Sequence, residues 1–465
     1  MTPVVIVGAG PCGLAAACAL RQQGIGVRLL DSAAGPGQGS RAVLLWPPAL
    51  EVLRAVGVAD QARQEGLPVK ALTYHLTGGR RLRSELGSAN AALLLPQQHT
   101  TRLLAERFAA LGGRIEWSTQ VSEVHTVRET VVVRAGTTLV EADWLIAADG
   151  VRSTVRDLLG IEFPGAAVPG RYLITEAAID GDLEIGAVHY FLRPAGSLVI
   201  APMRGGRTRI SGPVAEDTPL TPETVRLLVD ERGPAGLGIR ELGPVTSFSS
   251  QERVASALCQ GRCFLVGDAA HTHSPIGGQG LNLGLQDVHN LAWKLGGVIT
   301  GRLTPAVLDT YDTERRQAAT QVLGNTRRAL RMFLLGPVGA RVRNTAWRAL
   351  ESTGALRTWF TPLLAGRRAR YTAGTDRRHW LLPAEGTRAP HWLPDPPLGP
   401  PTFRLITVGS RLTRPAEELA HRRSLPHQRV NSRFRTGFVL VRPDGFIARS
   451  GVTRSELDSV AELTC

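Results

Sequence analysis

The chain has 465 residues, 43% hydrophobic and 20% charged, so it has a globular composition and is too long for a single core. No run of about 18 apolar residues occurs and no basic leader precedes the first strand, which excludes a membrane-spanning helix and predicts a cytoplasmic protein. The net charge of +14 comes almost entirely from dispersed arginines without a nucleic-acid-binding motif, so we expect no nucleic acid partner.

The N-terminal segment has the pattern of a nucleotide-binding βαβ unit. A β-branched strand, Val4–Val7, leads into Gly8-x-Gly10-x-x-Gly13, a helix is predicted over Leu14–Gln23, and a second strand ends at Asp31. The first glycine permits a tight turn, the second admits a phosphate close to the backbone, and the third lets the helix pack on the strand. The segment therefore predicts a bound nucleotide, with Asp31 placed to accept hydrogen bonds from its ribose.

The next part of the chain alternates between helical and extended patterns. Helices are predicted over residues 42–66 and 103–111, and residues 72–95 predict a hairpin that turns at Gly78-Gly79. Strands are predicted over residues 115–121 and 130–139, and a buried strand from Trp144 ends in Asp149-Gly150. Residues 171–214 contain short strands separated by Gly, Asp and Pro turns. They predict an antiparallel meander inserted into the nucleotide-binding domain.

A second glycine-rich turn occupies residues 267–282. It follows a short strand, contains Gly267-Asp268, Gly277, Gly278 and Gly280, and leads into an amphipathic helix. Two distant glycine turns that converge on one ligand imply a cofactor longer than a mononucleotide. Helices are predicted as far as Gly366, and the proline-rich residues 383–402 predict a linker. Strands at residues 404–408 and 437–441 predict a small α/β module.

Cysteine and arginine usage suggests no further site. The five cysteines include no CxxC pair and no zinc set, so we expect no bound metal. Arginines between Arg327 and Arg370 alternate with apolar residues, which favours a solvated helix face, with contact to a membrane surface as the alternative.

Three motifs in this order resemble a known family. They are Gly8-x-Gly10-x-x-Gly13, Asp149-Gly150 with the following Val151–Arg156, and Gly267-Asp268 with its glycine loop. Together they resemble the single-component, FAD-dependent aromatic hydroxylases of the para-hydroxybenzoate hydroxylase type, over roughly residues 1–320. The C-terminal module resembles the thioredoxin-like tail of the aromatic polyketide hydroxylases in a smaller form, and it lacks that tail's cysteines.

The resemblance implies an α/β fold with a discontinuous, Rossmann-like FAD-binding domain and an inserted antiparallel-sheet domain for the substrate. The implied ranges are 1–72, 93–170 and 250–325 for the FAD-binding domain, 73–92 and 171–249 for the substrate domain, 326–382 for a helical segment, and 383–465 for the C-terminal module.

The family's cofactor-binding residues carry over to matching positions. The resemblance implies that Gly8, Gly10 and Gly13 hold the FAD pyrophosphate and that Asp31 holds the adenosine ribose. It implies that Arg41 lies beside the cofactor, Gln97 contacts the ribityl chain, Asp149 serves both flavin and nicotinamide, and Asp268 hydrogen-bonds a ribityl hydroxyl. The flavin N1–C2=O edge, which is negatively charged when reduced, then faces a helix N-terminus and these residues: Gly277, Gly278, Gly280, Leu281 and Asn282.

Three positions depart from the family pattern. The chain has Pro47-Pro48 where the family often has Pro-Arg, Thr101 where an acidic residue is usual, and Thr272 where many members have arginine. If these positions help to receive NAD(P)H, then flavin reduction by NAD(P)H is less firmly implied than FAD binding.

The family mechanism depends mainly on the cofactor. NAD(P)H reduces FAD, O2 adds at flavin C4a, and the hydroperoxide hydroxylates an electron-rich ring in a site that excludes water. The expected substrate is a hydrophobic small molecule, an aromatic polyketide or a related polycyclic or polyene metabolite. The catalytic residue stays unassigned, with His189, Arg204 and His273 as candidates. His271 is a further candidate, and Tyr190, Phe191 and Met203 are expected on the substrate sheet.

Several alternatives stay open. The same enzyme could serve antibiotic biosynthesis or inactivate an antibiotic by hydroxylation. A different class of function is a non-redox cyclase that retains FAD as a structural element and shapes a polyene for cycloaddition. A third alternative is an FAD-binding protein without chemistry. The choice between NADH and NADPH and the oligomeric state, with a homodimer as one option, are also open.

Overall fold

The computed structural model describes residues 2–37, 42–76, 81–333, 335, 337–371, 379, 381–396 and 399–463. Arg41 and the predicted turn at Gly78-Gly79 lie outside the described residues. Within these ranges, every helix is too short or too polar to cross a bilayer.

The strands of the described residues fall into four sheets. Their bounds in chain order are β1 Thr2–Val7, β2 Val27–Leu30, β3 Leu44–Leu45, β4 Leu67–Val69, β5 Ala71–His75, β6 Arg81–Glu85, β7 Ala92–Leu94, β8 Ile115–Glu116, β9 Val121–Val127, β10 Thr130–Ala135, β11 Thr138–Ala147, β12 Gly165–Asp180, β13 Ala187–Arg193, β14 Gly196–Pro202, β15 Arg207–Val214, β16 Gly238–Leu242, β17 Thr246–Val254, β18 Cys259–Gln260, β19 Cys263–Leu265, β20 His271–Thr272, β21 Arg404–Val408, β22 His427–Val430, β23 Gly437–Val441 and β24 Ile447–Gly451.

The helices pack against these sheets and against one another. Their bounds in chain order are α1 Pro11–Arg21, α2 Pro47–Ala55, α3 Ala59–Glu65, α4 Gln97–Ala110, α5 Thr154–Leu158, α6 Pro222–Arg232, α7 Gln279–Ile299, α8 Asp309–Phe333, α9 Pro337–Ser352, α10 Thr361–Leu364, α11 Thr413–Arg422 and α12 Arg454–Asp458. A π-helical turn over Leu356–Phe360 joins α9 to α10.

The first sheet is the predicted nucleotide-binding sheet. Its parallel strands run in the order β19, β11, β1, β2, β8, and β9 and β10 pair antiparallel beside β11. Val4, Val5 and Ile6 of β1 are fully buried because both faces of a parallel sheet are covered. The carboxyl ends of β1 and β11 lie side by side, so the loops that start at Gly8 and Asp149 meet at one edge of this sheet.

The second sheet is built from two excursions of the chain out of the first. Residues 71–85 contribute β5 and β6, and residues 165–254 contribute β12 to β17. The sixteen-residue strand β12 pairs with β15, β16 and β17, so it forms the spine of this sheet. The neighbours β13, β14 and β15 are antiparallel, as predicted for this region.

One pairing in the second sheet, which is otherwise antiparallel as predicted, is parallel. Strand β5 pairs with β13 in parallel, with Ala71 opposite Ala187 and Tyr74 opposite Tyr190. The two strands belong to separate excursions of the chain, so no hairpin turn fixes their relative direction.

The C-terminal module is a small α/β unit with a four-stranded sheet in the order β22, β21, β23, β24. Strands β21 and β22 are parallel and joined through α11, and β23 and β24 form an antiparallel hairpin. The predictions of strands at Arg404–Val408 and Gly437–Val441 are confirmed, whereas α11, β22 and β24 had not been predicted.

The hairpin turn of this module is anchored on helices α7 and α8 by buried charges. The Arg442 guanidinium donates to Glu314 Oε2 over 2.8 Å and to Asp444 Oδ2 over 2.6 Å. Asn290 of α7 donates to the same Asp444 oxygen over 2.9 Å, and Lys294 donates to Glu314 over 2.7 Å. Apart from Arg442, which is partly buried, these groups are buried, so each charge depends on its partners. The module is therefore docked on the helix that begins at the second glycine turn.

Candidate flavin site

The two glycine motifs, 250 residues apart in the sequence, touch in the structure. Helices α1 and α7 cross where Cys12, Gly267 and Gly284 meet. A Cβ atom added to Gly284 would lie 2.7 Å from the Cys12 sulfur and 2.9 Å from the Gly267 Cα. Only a residue without a side chain fits at this crossing. The predicted convergence of the two turns is therefore found in the fold.

The glycines of the N-terminal turn differ in the space around them: two are closely packed and one is not. A Cβ atom on Gly8 would lie 2.4 Å from the Ala148 carbonyl oxygen, and one on Gly13 would lie 1.8 Å from the Gly8 oxygen. A Cβ atom on Gly10, in contrast, would meet nothing within 4 Å. Gly10 is also the residue that caps the N-terminus of α1. The space in front of this helix end suits a phosphate group.

Asp31 is fixed by the turn that it was predicted to complete. Its Oδ2 accepts from the Ala9 amide over 2.6 Å, and its Oδ1 accepts from the Ala33 amide over 2.8 Å. Each carboxylate oxygen has a second lone pair, which can still accept a ribose hydroxyl. The carboxylate thus holds the glycine turn in shape and lines the cleft beside it.

Two adjoining clefts run along this edge of the first sheet. One, of about 330 Å³, is lined by Gly8, Gly10 and Asp31, and the other, of about 1020 Å³, extends to Asp268. Both are lined by Asp149, Gly150 and Arg152, so the two clefts meet at the Asp-Gly pair. The line from Gly10 through Asp149 to Asp268 joins all three sequence motifs, which suits a long dinucleotide.

Asp149 carries a buried oxygen that the described residues leave unsatisfied. Its Oδ2 accepts from the Val155 amide over 3.0 Å, whereas its Oδ1 has no hydrogen-bond partner among the described residues. Burial raises the pKa of this carboxyl. A buried acceptor without a partner is rare in native proteins, so it needs an explanation, such as a bound group that is not part of the chain. Its position between the clefts fits a hydroxyl of a bound cofactor.

The second glycine turn presents a helix N-terminus. Gly277 and Gly278 have φ angles of +77° and +63°, which glycine adopts without strain. No side chain caps the first turn of α7, so its amides are available to a ligand. A Cβ atom on Gly280 would lie 4.0 Å from Asp268 Oδ1, which places that carboxylate beside the same helix end. Leu281 follows in the first turn and is half-buried.

Asn282 ties this turn to the segment that follows Arg41 in sequence. Its side chain accepts from the Trp46 amide and donates to the Leu44 oxygen, both over 2.7 Å. It also donates to the Gly278 oxygen over 2.6 Å. Its side-chain amide is thus occupied in holding the loop, so we expect it to act on the flavin through the backbone.

Taken together, these features fit FAD. The open space at Gly10 suits the pyrophosphate, the unsatisfied Asp149 oxygen lies midway, and the uncapped end of α7 suits the anionic flavin edge. Gln97 lies at the start of α4, where its Oε1 accepts from the Ala42 amide over 3.2 Å. Within the described residues there is no cluster of metal ligands.

The positions that depart from the family pattern have local roles. Pro47 and Pro48 form the first turn of α2, where proline is favoured. The Thr101 hydroxyl donates to the Gln97 oxygen over 2.9 Å. The Thr272 hydroxyl is buried without a partner among the described residues, on the short strand β20 that pairs with β17.

The catalytic candidates on the second sheet lie in different surroundings. Phe191 packs on the face of the sheet that α6 covers, and His189, two residues earlier on β13, shares that face. Tyr190 points to the opposite face, where it stacks on Tyr74 with ring centroids 5.3 Å apart. Arg204 is exposed and donates to the Gln64 oxygen.

An aromatic cluster that the sequence did not reveal lies on the Tyr190 face. We call Trp46, Tyr74, Tyr190, Trp347 and Phe360 the aromatic cluster; all belong to one buried apolar group except Tyr190, which packs against it. The Trp46 indole donates to the Gly277 oxygen over 2.8 Å, so the cluster reaches the second glycine turn. Its members come from four separate segments. No local sequence pattern could have predicted that they meet. Trp46, five residues beyond Arg41, was the one signal in the sequence that an aromatic group lies near the predicted cofactor loop.

A buried ionic group behind the second turn was also missed. Asp287 on α7 accepts from the Gly267 amide over 3.0 Å, from His271 over 2.7 Å and from Arg315 over 2.7 Å. All of these side chains are fully buried. An aspartate within an apolar helix face was the only sequence signal, and it did not name its partners.

Known proteins of the same architecture match the chain. The family described as "FAD binding domain" matches residues 1–326. The 6-methylpretetramide 4-monooxygenase of Streptomyces rimosus is 36% identical over 352 residues, which cover 71% of this chain and 62% of that protein. The anhydrotetracycline hydroxylase OxyS of Streptomyces rimosus superimposes with a TM-score of 0.77 at 29% identity, over 99% of this chain and 97% of that one.

A protein of a different reaction class shares the fold. A Diels-Alderase from the biosynthetic pathway of pyrroindomycins superimposes with a TM-score of 0.74 over 99% of both chains, at 22% identity. That similarity concerns the fold alone. The family match covers more than half of the chain and includes all three predicted motifs. The chain therefore belongs to the FAD-binding-domain family of flavin-dependent monooxygenases, the group that resembles para-hydroxybenzoate hydroxylase, and its cofactor is FAD.

Proposed function

We propose that this protein uses FAD, NAD(P)H and O2 to hydroxylate an aromatic polyketide or a related polycyclic metabolite. One observation carries the proposal: the second glycine turn, at the flavin end of the cleft, contacts the aromatic cluster through Trp46. A flat aromatic substrate that packs against this cluster would lie next to the flavin ring. The relatives named above act on tetracycline-type polyketides, which supports this substrate class.

We assign the cofactor residues as follows. Gly10 and the N-terminus of α1 hold the pyrophosphate, with Gly8 and Gly13 allowing the close packing around it. Asp31 holds the adenosine ribose, Asp149 and Asp268 bind hydroxyls of the ribityl region, and Gln97 lies nearby. Bound FAD supplies the electrons that activate O2. The chain's own part is to orient it: the amides of Gly277 to Leu281 stabilise negative charge at the flavin edge.

The larger cleft also has features that suit the nicotinamide co-substrate. Three arginines line this space of about 1020 Å³. Arg156 is buried and bonded to its neighbours, whereas Arg152 is exposed and Arg253 lines the wall. Arginine is well suited to bind phosphate groups. We propose that these two residues receive the NAD(P)H phosphates. Because NAD(P)H is an intracellular co-substrate, a cytoplasmic location follows from the same proposal.

The domain ranges expected from the sequence are proposed on the same basis. The first sheet would be the core of the FAD-binding domain, the second sheet that of the substrate domain, and the module around β21 to β24 a C-terminal domain. With these ranges, the cleft and the aromatic cluster would lie where the first two domains meet, and Trp347 and Phe360 would come from the helical segment 326–382.

The decisive experiment separates redox chemistry from a structural flavin. Purified protein should be yellow, and anaerobic mixing with NADPH or NADH should bleach the flavin absorbance. Addition of O2 and anhydrotetracycline as a probe should then yield a product with one added oxygen atom, detected by mass spectrometry. If neither nucleotide reduces the flavin and no oxygen is incorporated, the monooxygenase proposal is wrong. A flavin-retaining cyclase would then become the leading alternative.

The cofactor assignment has its own test. Replacement of Asp268 with Ala should raise the Kd for FAD by about 10- to 150-fold, because a hydrogen bond to a charged group is worth about 1.5–3 kcal/mol. The matched control is Asp157→Ala, which removes an exposed carboxylate from the same cleft. Fluorescence titration with FAD measures both. Equal affinities in the two variants would refute the assignment.

A further inference from the structure

The three catalytic candidates differ in how their polar atoms are satisfied. His189 has both ring nitrogens engaged, Nδ1 with His75 over 3.0 Å and Nε2 with the Glu184 oxygen over 3.1 Å. Arg204 is exposed and bonds the backbone of a neighbouring segment. His273 contacts His271 through Nε2, over 3.1 Å, and its Nδ1 is buried without a partner among the described residues. His273 is therefore the candidate with a nitrogen available to a ligand.

Asp287 determines, through His271, which nitrogen of His273 carries hydrogen. Burial alone would raise the pKa of the Asp287 carboxyl, but His271 and Arg315 lower it below its ordinary value. Arg315 is itself held by the Tyr371 hydroxyl over 2.8 Å, so its charge stays against Asp287. Asp287 is consequently ionised, and an ionised carboxylate only accepts hydrogen bonds.

This acceptor determines where each imidazole hydrogen lies. His271 Nε2, 2.7 Å from Asp287 Oδ2, must carry a hydrogen. With hydrogen on Nε2 alone, His271 Nδ1 is an acceptor, and it accepts the hydrogen of His273 Nε2. His273 Nδ1 is left with an unshared electron pair. Burial keeps the pKa of His273 well below its ordinary value, so the ring stays neutral.

The position of His273 suits a role at the reacting end of the site. It lies within the second glycine turn, two residues before Pro275, and the Ser250 hydroxyl donates to its backbone oxygen over 3.1 Å. Gly277, in the same turn, contacts the aromatic cluster. The buried Nδ1 therefore belongs to the segment that connects the proposed flavin and substrate positions.

We propose that His273 is the base that takes the phenolic proton of the bound substrate, and that His271 and Asp287 are positioning residues that hold its tautomer. This proposal rests on the proposed function.

In the proton-transfer step, the substrate O–H bond breaks, a bond forms from His273 Nδ1 to that hydrogen, and the electron pair stays on the phenolic oxygen. The phenolate makes the adjacent ring carbon a stronger nucleophile toward the oxygen atom delivered from O2. When that carbon loses its hydrogen as a proton and the ring regains aromaticity, His273 returns a proton to the phenolic oxygen.

The tautomer can be tested without a substrate. Nitrogen NMR of the FAD-bound protein, labelled with ¹⁵N at histidine, should show hydrogen on Nε2 of both His271 and His273, with the His273 ring neutral. An imidazolium, or hydrogen on Nδ1 of His273 in the wild-type protein, would overturn the proposal.

The catalytic role needs a second measurement. With anhydrotetracycline as the probe, His273→Leu should lower kcat by about 10²–10⁴-fold, the usual contribution of a general base, and leave the KM for NADPH unchanged. The residual kcat should rise with pH as the phenol ionises unaided, and His273→Asn, which keeps an acceptor near Nδ1, should recover part of the loss. His421→Gln, an exposed histidine on α11, is the control.

The outcomes separate the two proposals. If the wild-type protein oxidises NADPH but His273→Leu keeps its kcat, or loses kcat with an unchanged pH profile, the role of His273 is refuted while the proposed function stands. If the wild-type protein hydroxylates nothing, the proposed function fails, and the NMR result still decides the tautomer.

Discussion

The crossing of α1 and α7 offers the sharpest test of how the two glycine motifs are joined. In Gly284→Ala, the new Cβ would lie 2.7 Å from the Cys12 sulfur and 2.9 Å from the Gly267 Cα, well inside the contact distance of about 3.5–4.0 Å. The helices must therefore separate by about 1 Å. Overpacking of this kind costs about 1–3 kcal/mol, and the better helix propensity of alanine returns about 1 kcal/mol of that. We expect a net destabilisation of up to about 2 kcal/mol.

The same displacement should reach the cofactor, because Gly267 directly precedes Asp268. Loss of one hydrogen bond to that carboxylate would weaken FAD binding about tenfold or more. The assays are the thermal midpoint of the apoprotein and a fluorescence titration with FAD. Gly324→Ala on α8 is the matched control, since its Cβ meets nothing within 4 Å and should stabilise the helix by about 0.5–1 kcal/mol. If both variants are equally stable and bind FAD equally, the packing argument is wrong.

Three further predictions follow from single residues. Gly10→Ala should leave the apoprotein as stable as wild type, because its Cβ meets nothing, but should weaken FAD binding in the titration. Glu314→Gln should destabilise the protein to urea by about 3–5 kcal/mol because it leaves the buried Lys294 without its ion-pair partner, whereas the exposed Glu418→Gln should change stability by less than about 0.5 kcal/mol. Burial, with His189 as the next cause, lowers the pKa of His75 from 6.5 to about 4. The unfolded state therefore protonates this histidine at a higher pH than the folded state does. The free energy of unfolding should fall as the pH drops from 6.5 to 4, and it should fall less steeply in His75→Gln. Equal slopes in the two proteins would contradict this prediction.

The local patterns of the sequence were sufficient to predict the elements of the proposed cofactor site. In the sequence, a run of β-branched residues indicates a buried parallel strand, and glycines at fixed spacing indicate a phosphate-binding turn. Both patterns depend on only a few consecutive residues. Strand β1, the Gly8 turn and the second turn at Gly267 were predicted on this basis and lie together in the structure. The strands at residues 404–408 and 437–441 were predicted to the residue for the same reason.

The arrangement around the proposed reaction was decided only in three dimensions. Strand alternation predicts that His189 and Tyr190 point to opposite faces, but not which face α6 covers. The parallel pairing of β5 with β13 and the aromatic cluster join segments that lie far apart in the chain. The contacts of Asp287 with His271 and Arg315 likewise arise from three separate elements. A sequence specifies its turns and strands through neighbouring residues, whereas buried charges and ring contacts depend on which distant surfaces the core brings together. The sequence alone therefore determined the family and its cofactor, and the tertiary structure distinguished His273 from the other candidate residues.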